Sequence, residues 1–448
     1  MVTADPGAER RHTAKGQATR QRILRAAAEV ILAEGLSALN MDKVRSAASV
    51  SGSQLSYYYD DKQALIRAVL DRQLEVVLDF HRQPQLGGFE TFDDYERWID
   101  RNVRYLRRIG YSGTPTYHAL AGQLLKSSES THATLGFGYR RWIELFEQSL
   151  QGMKDRGLLV AKARPADLAL VLVAAHQGGG AMTFTFRQEW PLTDALRFAV
   201  NNLRRFAADP AERVPRRPRR ARGHLERRSG VMDSGDEARF TKKGLATRTR
   251  IVDKAAQLMF AQGVVGTSLD DVRRAAGVSG SQLAHYFTDK RDLTRQVIAS
   301  RTGDVLAFHA QPAMAGLDSA QALRAWVSSC VADVEPVYLR GGCVYGSLVG
   351  ELLESDEELL DDLAAGYSRW LQVFREGFAA MRRTGALLPE ADPRHLAAAM
   401  VTAHQGGAML TYAMGSQTAF GVVANASVDY AASFRPLPDP APAARGSR

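Results

Sequence analysis

The sequence predicts an all-α chain in which one helical unit occurs twice, and three observations lead there. The stretch VSGSQLSYYYDDK at Val50–Lys62 returns as VSGSQLAHYFTDK at Val278–Lys290, an offset of 228 residues. The same offset carries Lys15-Gly16 onto Lys243-Gly244, His81 onto His309, Trp98 onto Trp326, Arg141-Trp142 onto Arg369-Trp370 and Phe206 onto Phe434, without a gap. Apolar residues in both copies recur at helical spacing. Glycine and proline punctuate the chain at Gly110, Gly113, Gly157 and Pro165, and again at Gly341-Gly342, Gly385 and Pro393. The period far exceeds the roughly 20–50 residues of a solenoid unit, so each copy is expected to hold its own core.

Composition narrows the class. The 448 residues are 45% hydrophobic and 24% charged, ordinary for a globular protein. The longest apolar run, Leu168 to Ala175, falls short of the roughly 20 residues a bilayer span needs. The opening MVTADPGAERRHTAKG has no apolar core of a signal peptide, so neither membrane nor secretion is expected. Cys330 and Cys343 lie in the second copy, opposite Asn102 and Pro115. Two unmatched thiols build no disulfide framework and no zinc site, and they fit a reducing cytoplasm.

The net charge of +9 is concentrated. Arg213–Arg228 holds eight arginines and one glutamate, so +7 of the +9 lies there. Residues 209–239 therefore read as a disordered linker, with 1–14 and 436–448 as disordered ends. The linker is either a sequence-independent attractor of phosphates or a solvated tether that its arginines keep open.

In chain order, the first expected helix spans 15–35 with Ile23, Ala27, Val30 and Ile31 on one face, stopped by Gly35. Its copy carries Ile251, Ala255, Leu258, Met259 and Gly263. Basic residues open each helix: Lys15, Arg20 and Arg22, then Lys242, Lys243, Arg248 and Arg250. A short second helix follows the N-caps Asn40 and Ser268 and runs to Ala48 and Ala276. Gly277 then sits at a turn that asks for positive φ, where the first copy has Ser49 at a cost of about 1 kcal/mol. Ser51 with Gln54, and Ser279 with Gln282, match a capping box that starts a third helix. Two short helices across a tight turn describe a helix-turn-helix, whose second helix can enter the DNA major groove. A fourth helix starts after Asp60-Asp61, carries Leu65, Val69, Leu74, Val77 and Leu78, and ends before Pro84.

These residues resemble the N-terminal domain of the TetR family of bacterial transcriptional regulators. The pattern is a basic arm, Ile23 and Ala27, Gly35, Val50-Ser51, Tyr58-Tyr59 and Lys62. In the second copy it is Ile251, Ala255, Gly263, Gly277-Val278-Ser279, Tyr286-Phe287 and Lys290. The likeness covers about 50 residues per copy, and downstream it is general in character. Ser49 replaces the usual glycine, while Ser56 and Ala284 stand where many relatives place a tyrosine. The resemblance implies DNA-binding domains at 15–65 and 240–293, and helical ligand and dimerisation domains at 66–208 and 294–435.

The expected DNA-facing set is Lys15, Arg20, Gly52, Ser53, Gln54, Ser56, Tyr57 and Lys62, with Lys243, Arg248, Gly280, Ser281, Gln282, Ala284, His285 and Lys290. Glutamine can pair bidentately with adenine, or cap its own helix. Lys62 and Lys290 either meet phosphates or stay solvated. Leu55, Tyr58 and Tyr59 fall on the opposite face and belong to the core.

Downstream, Trp98, Tyr105, Tyr117, Trp142, Phe146 and His176, with Trp326, Tyr338, Tyr345, Trp370, Phe374 and His404, either line an effector pocket or fill a helical core. The resemblance favours a pocket for a small molecule of unspecified identity. Glycines within the apolar stretches Ala174–Met182 and Ala403–Met409 cost helix stability and invite close approach of another helix. The resemblance makes these the dimer interface of a four-helix bundle, through Gly178, Gly179, Gly406 and Gly407. No metal site, cofactor or catalytic constellation is expected. The expected chain is thus a repressor-like regulator of two TetR-like units closing into an intrachain pseudo-dimer on a double-stranded operator with two related but non-identical half-sites. The alternative is a non-specific nucleic-acid or acidic-partner binder driven by the arginine linker.

Overall fold

The computed structural model describes residues 13–34, 39–111, 117–124, 128–217, 240–352 and 357–436. Unit one contains α1 (Ala14–Glu34), α2 (Met41–Ala47), α3 (Gly52–Tyr58), α4 (Lys62–His81), α5 (Phe92–Ile109), α6 (Tyr117–Leu124), α7 (Glu129–Asp155), α8 (Pro165–Phe186) and α9 (Trp190–Arg204). Unit two repeats them as α10 (Lys242–Gly266), α11 (Leu269–Ala276), α12 (Gly280–Tyr286), α13 (Lys290–His309), α14 (Ala320–Ala332), α15 (Leu339–Gly341), α16 (Val344–Leu352), α17 (Glu357–Arg383), α18 (Pro393–Met414) and α19 (Ala419–Ala432). Gly35 lies outside the described residues.

Helical periodicity does what it should. Along α4, Leu65, Ile66, Val69, Leu70, Leu74 and Leu78 are buried at three- and four-residue steps. The expected domain boundaries at 65/66 and 293/294 fall inside α4 and α13, so one continuous helix joins each small N-terminal bundle to its larger one. The units also differ. Where α5 runs unbroken to Ile109, unit two turns through a π-helical stretch, Val334–Tyr338, after α14. Pro336 sits there without a backbone N–H, opposite Arg108.

The core is centred on α8, α9, α18 and α19, which pack together across the two units. By length and mean hydropathy α8 could span a bilayer, but 83% of its apolar window is buried inside the protein. Its apolar surface is spent on neighbouring helices.

Glycine sets how closely the units approach. A Cβ on Gly178 would land on the Thr402 carbonyl oxygen, and a Cβ on Gly406 on the Ala174 carbonyl oxygen. Subtracting 228 turns each contact into the other, the signature of an isologous two-fold crossing. Gly122 of α6 meets Gly350 of α16, its own equivalent, so these two mark the pseudo-dyad. Gly179 and Gly407 correct the sequence expectation. They face Ala195 and Leu192, and Phe420 and Val423, so they admit α9 and α19 of their own units. One residue rotates a helical position by about 100°, which separates neighbouring glycines onto different partners.

The linker expectation is also corrected at its start. Pro210–Arg213 forms a 3₁₀ turn, Glu212 pairs with buried Arg204, and Asn201 holds both the N–H and the C=O of Arg216. Residues 218–239, with 1–12 and 437–448 of the expected ends 1–14 and 436–448, lie outside the described residues, while Ala14 already opens α1.

Ser49 adopts φ 50° where Gly277 adopts φ 62°. Replacing Ser49 by glycine relieves the left-handed conformation and is expected to stabilise the chain by about 0.5–1 kcal/mol, read as a raised denaturant midpoint. An unchanged or lowered midpoint would show that Ser49 carries no strain.

Candidate nucleic-acid interface

Each helix-turn-helix is built on the same cap. Ser51 Oγ accepts the Gln54 N–H at 3.1 Å while Gln54 Oε1 accepts the Ser51 N–H at 2.9 Å. Ser279 and Gln282 repeat this at 3.1 and 2.9 Å. The side-chain oxygen of each glutamine is thus engaged by its own helix, which favours the capping role over bidentate adenine pairing.

The cap fixes which residues face outward. Leu55 and Tyr59 are buried and Tyr58 is half-buried, its hydroxyl donating to the Gly16 carbonyl at 3.0 Å. Gly52, Ser53, Gln54, Ser56 and Tyr57 are exposed, and so are Gly280, Ser281, Gln282, Ala284 and His285. A Cβ on Gly52 or Gly280 would meet nothing within 4 Å, and neither has a positive φ. Among the described residues nothing asks for glycine at either position.

The basic residues divide into two groups. Lys15 and Lys243 are exposed. Arg248 is half-buried with its guanidinium 5.7 Å from the Phe287 ring centroid, and Arg20 lies beside the equivalent Tyr59. Arg22 and Arg250 donate to the Ala48 and Ala276 carbonyls at 2.8 and 3.0 Å. Arg22, Arg248 and Arg250 therefore brace the bundle instead of forming a free arm. Lys62 and Lys290 open α4 and α13 in half-buried positions, where burial lowers both ammonium pKa values. Lys290 Nζ donates to the Val265 carbonyl at 3.3 Å.

Family comparisons agree with this geometry. A family model described as "Bacterial regulatory proteins, tetR family" matches residues 23–69 and again 251–297, and one described as "Tetracyclin repressor-like, C-terminal domain" matches 319–427. The chain thus matches that family's N-terminal domain twice and a tetracyclin repressor-like C-terminal domain once.

Similar curated proteins include the HTH-type transcriptional repressor KstR2 of Rhodococcus jostii, 29% identical over 82 residues, or 18% of this chain and 40% of the relative. The uncharacterized HTH-type transcriptional regulator TtgW of Pseudomonas putida is 40% identical over 55 residues, 12% of this chain and 41% of that protein. The chain thus spans about 40% of the length of these two relatives. An uncharacterized HTH-type regulator of Lactococcus lactis is 26% identical over 172 residues, 37% of this chain and 82% of the relative. Among solved structures, a TetR regulator from Chloroflexus aurantiacus is 22% identical, with 42% of this chain and 96% of that chain covered and a TM-score of 0.38.

The expected effector-pocket residues form closed aromatic clusters. Trp98, Trp142, Phe146 and His176 pack on one another around His81 and Phe89. Trp326, Trp370, Phe374, Tyr338 and His404 do the same around His309. Tyr345 donates to the Leu363 carbonyl, Tyr105 is half-buried beside Arg108, and the Tyr117 side chain lies outside those described. None of the eleven whose side chains are described lines the cavity of about 50 Å³ at the pseudo-dyad, where Gly122, Gln177, Gly346, Cys343, Gln405 and Tyr412 meet. That volume holds a few waters. Aromatic burial at helical spacing reads the same for core and pocket lining, so periodicity could not separate them. Among the described residues no group of three or more His, Cys, Asp or Glu is placed to hold a metal ion.

Sequence reading missed Glu351. Beside dyad residue Gly350, its carboxylate accepts the Val264 N–H in the last turn of α10, tying the unit boundary to the second reader. An acid at Glu351 opposite Gln123 of unit one was the available signal.

The central histidines make a pH prediction. Indole N–H groups only donate, so His309 Nε2 accepts from both Trp326 and Trp370 at 3.1 Å while Nδ1–H donates to Val305 O at 2.7 Å. His81 likewise accepts from Trp98. Burial lowers the pKa of both rings from 6.5 to about 4, and that of His404 to about 3. The unfolded chain therefore binds protons that the folded chain refuses. Stability is expected to fall as pH drops from 6.5 towards 4, by on the order of 3 kcal/mol for each fully buried ring. His309→Gln, which keeps an acceptor, is expected to flatten the slope of denaturant midpoint against pH over that range. An unaltered slope would contradict the assignment.

Proposed function

We propose that the chain is a sequence-specific DNA-binding transcriptional regulator, acting in the cytoplasm as a ligand-responsive repressor. One chain supplies both readers, and the two units pair within it as a pseudo-dimer. The observation that carries this reading is the repeated exposed face on a common cap, with Gly52 and Gly280 unexplained by any internal contact. A solvent-open position without a side chain leaves room for close approach of a phosphate backbone. Ser53, Ser56 and Tyr57 in one reader, against Ser281, Ala284 and His285 in the other, then meet related but non-identical half-sites. Ligand response would reach the second reader through Glu351.

The general-binder alternative loses ground at Arg213 and Arg216. The first donates to the Ala207 and Ala208 carbonyls, and the second faces Asp93 and Glu96, so part of the basic run is engaged with unit one.

Selection of bound duplexes from a random pool with the full chain is expected to return two inverted, related half-sites about one helical turn apart. Gly52→Ala is expected to leave thermal stability unchanged or raised, yet weaken binding at one half-site by roughly tenfold. Recovery of random sequence, or full affinity in Gly52→Ala, would sink the reading.

A further inference from the structure

The backbone crossing at the unit boundary does not choose a partner. Gly178 and Gly406 are equivalent, and each receives a carbonyl oxygen that every residue has. Unit one could cross a second unit one in the same way, and unit two a second unit two. Any choice must come from side chains.

One buried polar cluster at the boundary lacks two-fold symmetry. Tyr430 Oη lies 3.0 Å from Asn201 Nδ2 and 3.0 Å from His395 Nε2, and His395 Nδ1 lies 3.6 Å from Asp194 Oδ1. Asn201 and Tyr430 are almost wholly buried, and the His395 and Asp194 side chains are 5% and 15% exposed. Unit one contributes Asp194 and Asn201, and unit two contributes His395 and Tyr430.

At the mirrored place the offset puts Asp167 for His395, Asn202 for Tyr430, Val422 for Asp194 and Asp429 for Asn201. There Asp167 pairs within its own turn with Arg164, and Asn202 accepts from Arg205. If unit one met a second unit one, Asp194 would face Asp167 twice, two carboxylates in a largely buried contact. If unit two met a second unit two, His395 would face Val422 and Tyr430 would face Asp429, leaving the imidazole without its carboxylate. Only the mixed pairing sets the imidazole against a carboxylate while the Tyr430 hydroxyl meets an amide. Arg187–Glu357, another bridge across the boundary, does not discriminate in unit one, because Glu129 stands opposite Glu357.

We propose that Asp194, Asn201, His395 and Tyr430 form a pairing lock, which makes unit two the only partner unit one accepts and forbids homotypic pairing of either unit. The lock combines an attractive mixed contact with a repulsive homotypic one, as specific interfaces do. It rests on the intrachain pairing proposed above.

The test uses the full chain with a protease site engineered into residues 218–239. The cleaved protein is unfolded in urea, refolded with both halves present, and weighed by native mass spectrometry. Mixed pairs are expected, with each homotypic pair below a tenth of them. Asp194→Asn, which keeps the shape and removes the charge, is expected to raise pairs of unit one several-fold and leave pairs of unit two rare. Statistical 1:2:1 masses, or no change in Asp194→Asn, overturn the lock while leaving pairing intact. Halves that do not pair at all, when the uncut chain refolds, overturn the intrachain pairing and the lock with it.

Discussion

Close backbone approach between α8 and α18 is the constraint from which most of this architecture follows. With Gly178 against the Thr402 carbonyl and Gly406 against the Ala174 carbonyl, two long helices meet with no side chain between them. Gly122 and Gly350 extend the same contact to α6 and α16. Each glycine costs its helix about 1 kcal/mol relative to alanine, and the crossing recovers this through burial of long apolar faces on both sides. The aromatic clusters around His81 and His309 then lie behind this crossing, one in each unit, and α4 and α13 carry the two readers outward.

Duplication within one chain changes what that crossing can do. In the proposed pseudo-dimer, tethering would keep the second unit at an effective concentration around millimolar, so pairing would not depend on how many chains are present. Freed from self-complementarity, the two halves have diverged at the places that matter. The readers differ at Ser56-Tyr57 against Ala284-His285, the core path at Pro336, and the boundary at His395 against Asp167. Glu351 ties the second reader to the dyad at a position where unit one has Gln123.

Much of this was legible in the sequence because it is local. The capping pairs Ser51 with Gln54 and Ser279 with Gln282, the N-caps Asn40 and Ser268, and the positive φ of Ser49 and Gly277 depend on residues a few positions apart. The outward face of the third helix followed from the same spacing. What stayed hidden depends on partners distant in sequence. Gly178 and Gly179 look alike in a sequence, yet one meets the other unit and the other meets Leu192. Trp98 and Trp142 fit a pocket wall as well as a packed core until their ring neighbours are known. Arg248 reads as a phosphate contact until Phe287 is found beneath it. The exchange of Asp167 for His395 was visible on the repeat alignment, but it gained meaning only when Asp194 appeared opposite.

The central claim is that one chain does the work of a dimer, and the mass of the chain–operator complex tests it most directly. With a selected duplex and nanomolar protein, light scattering or native mass spectrometry should find a single 49.1 kDa chain per duplex with both half-sites protected. Two chains on each duplex, or one chain protecting a single half-site, would contradict it.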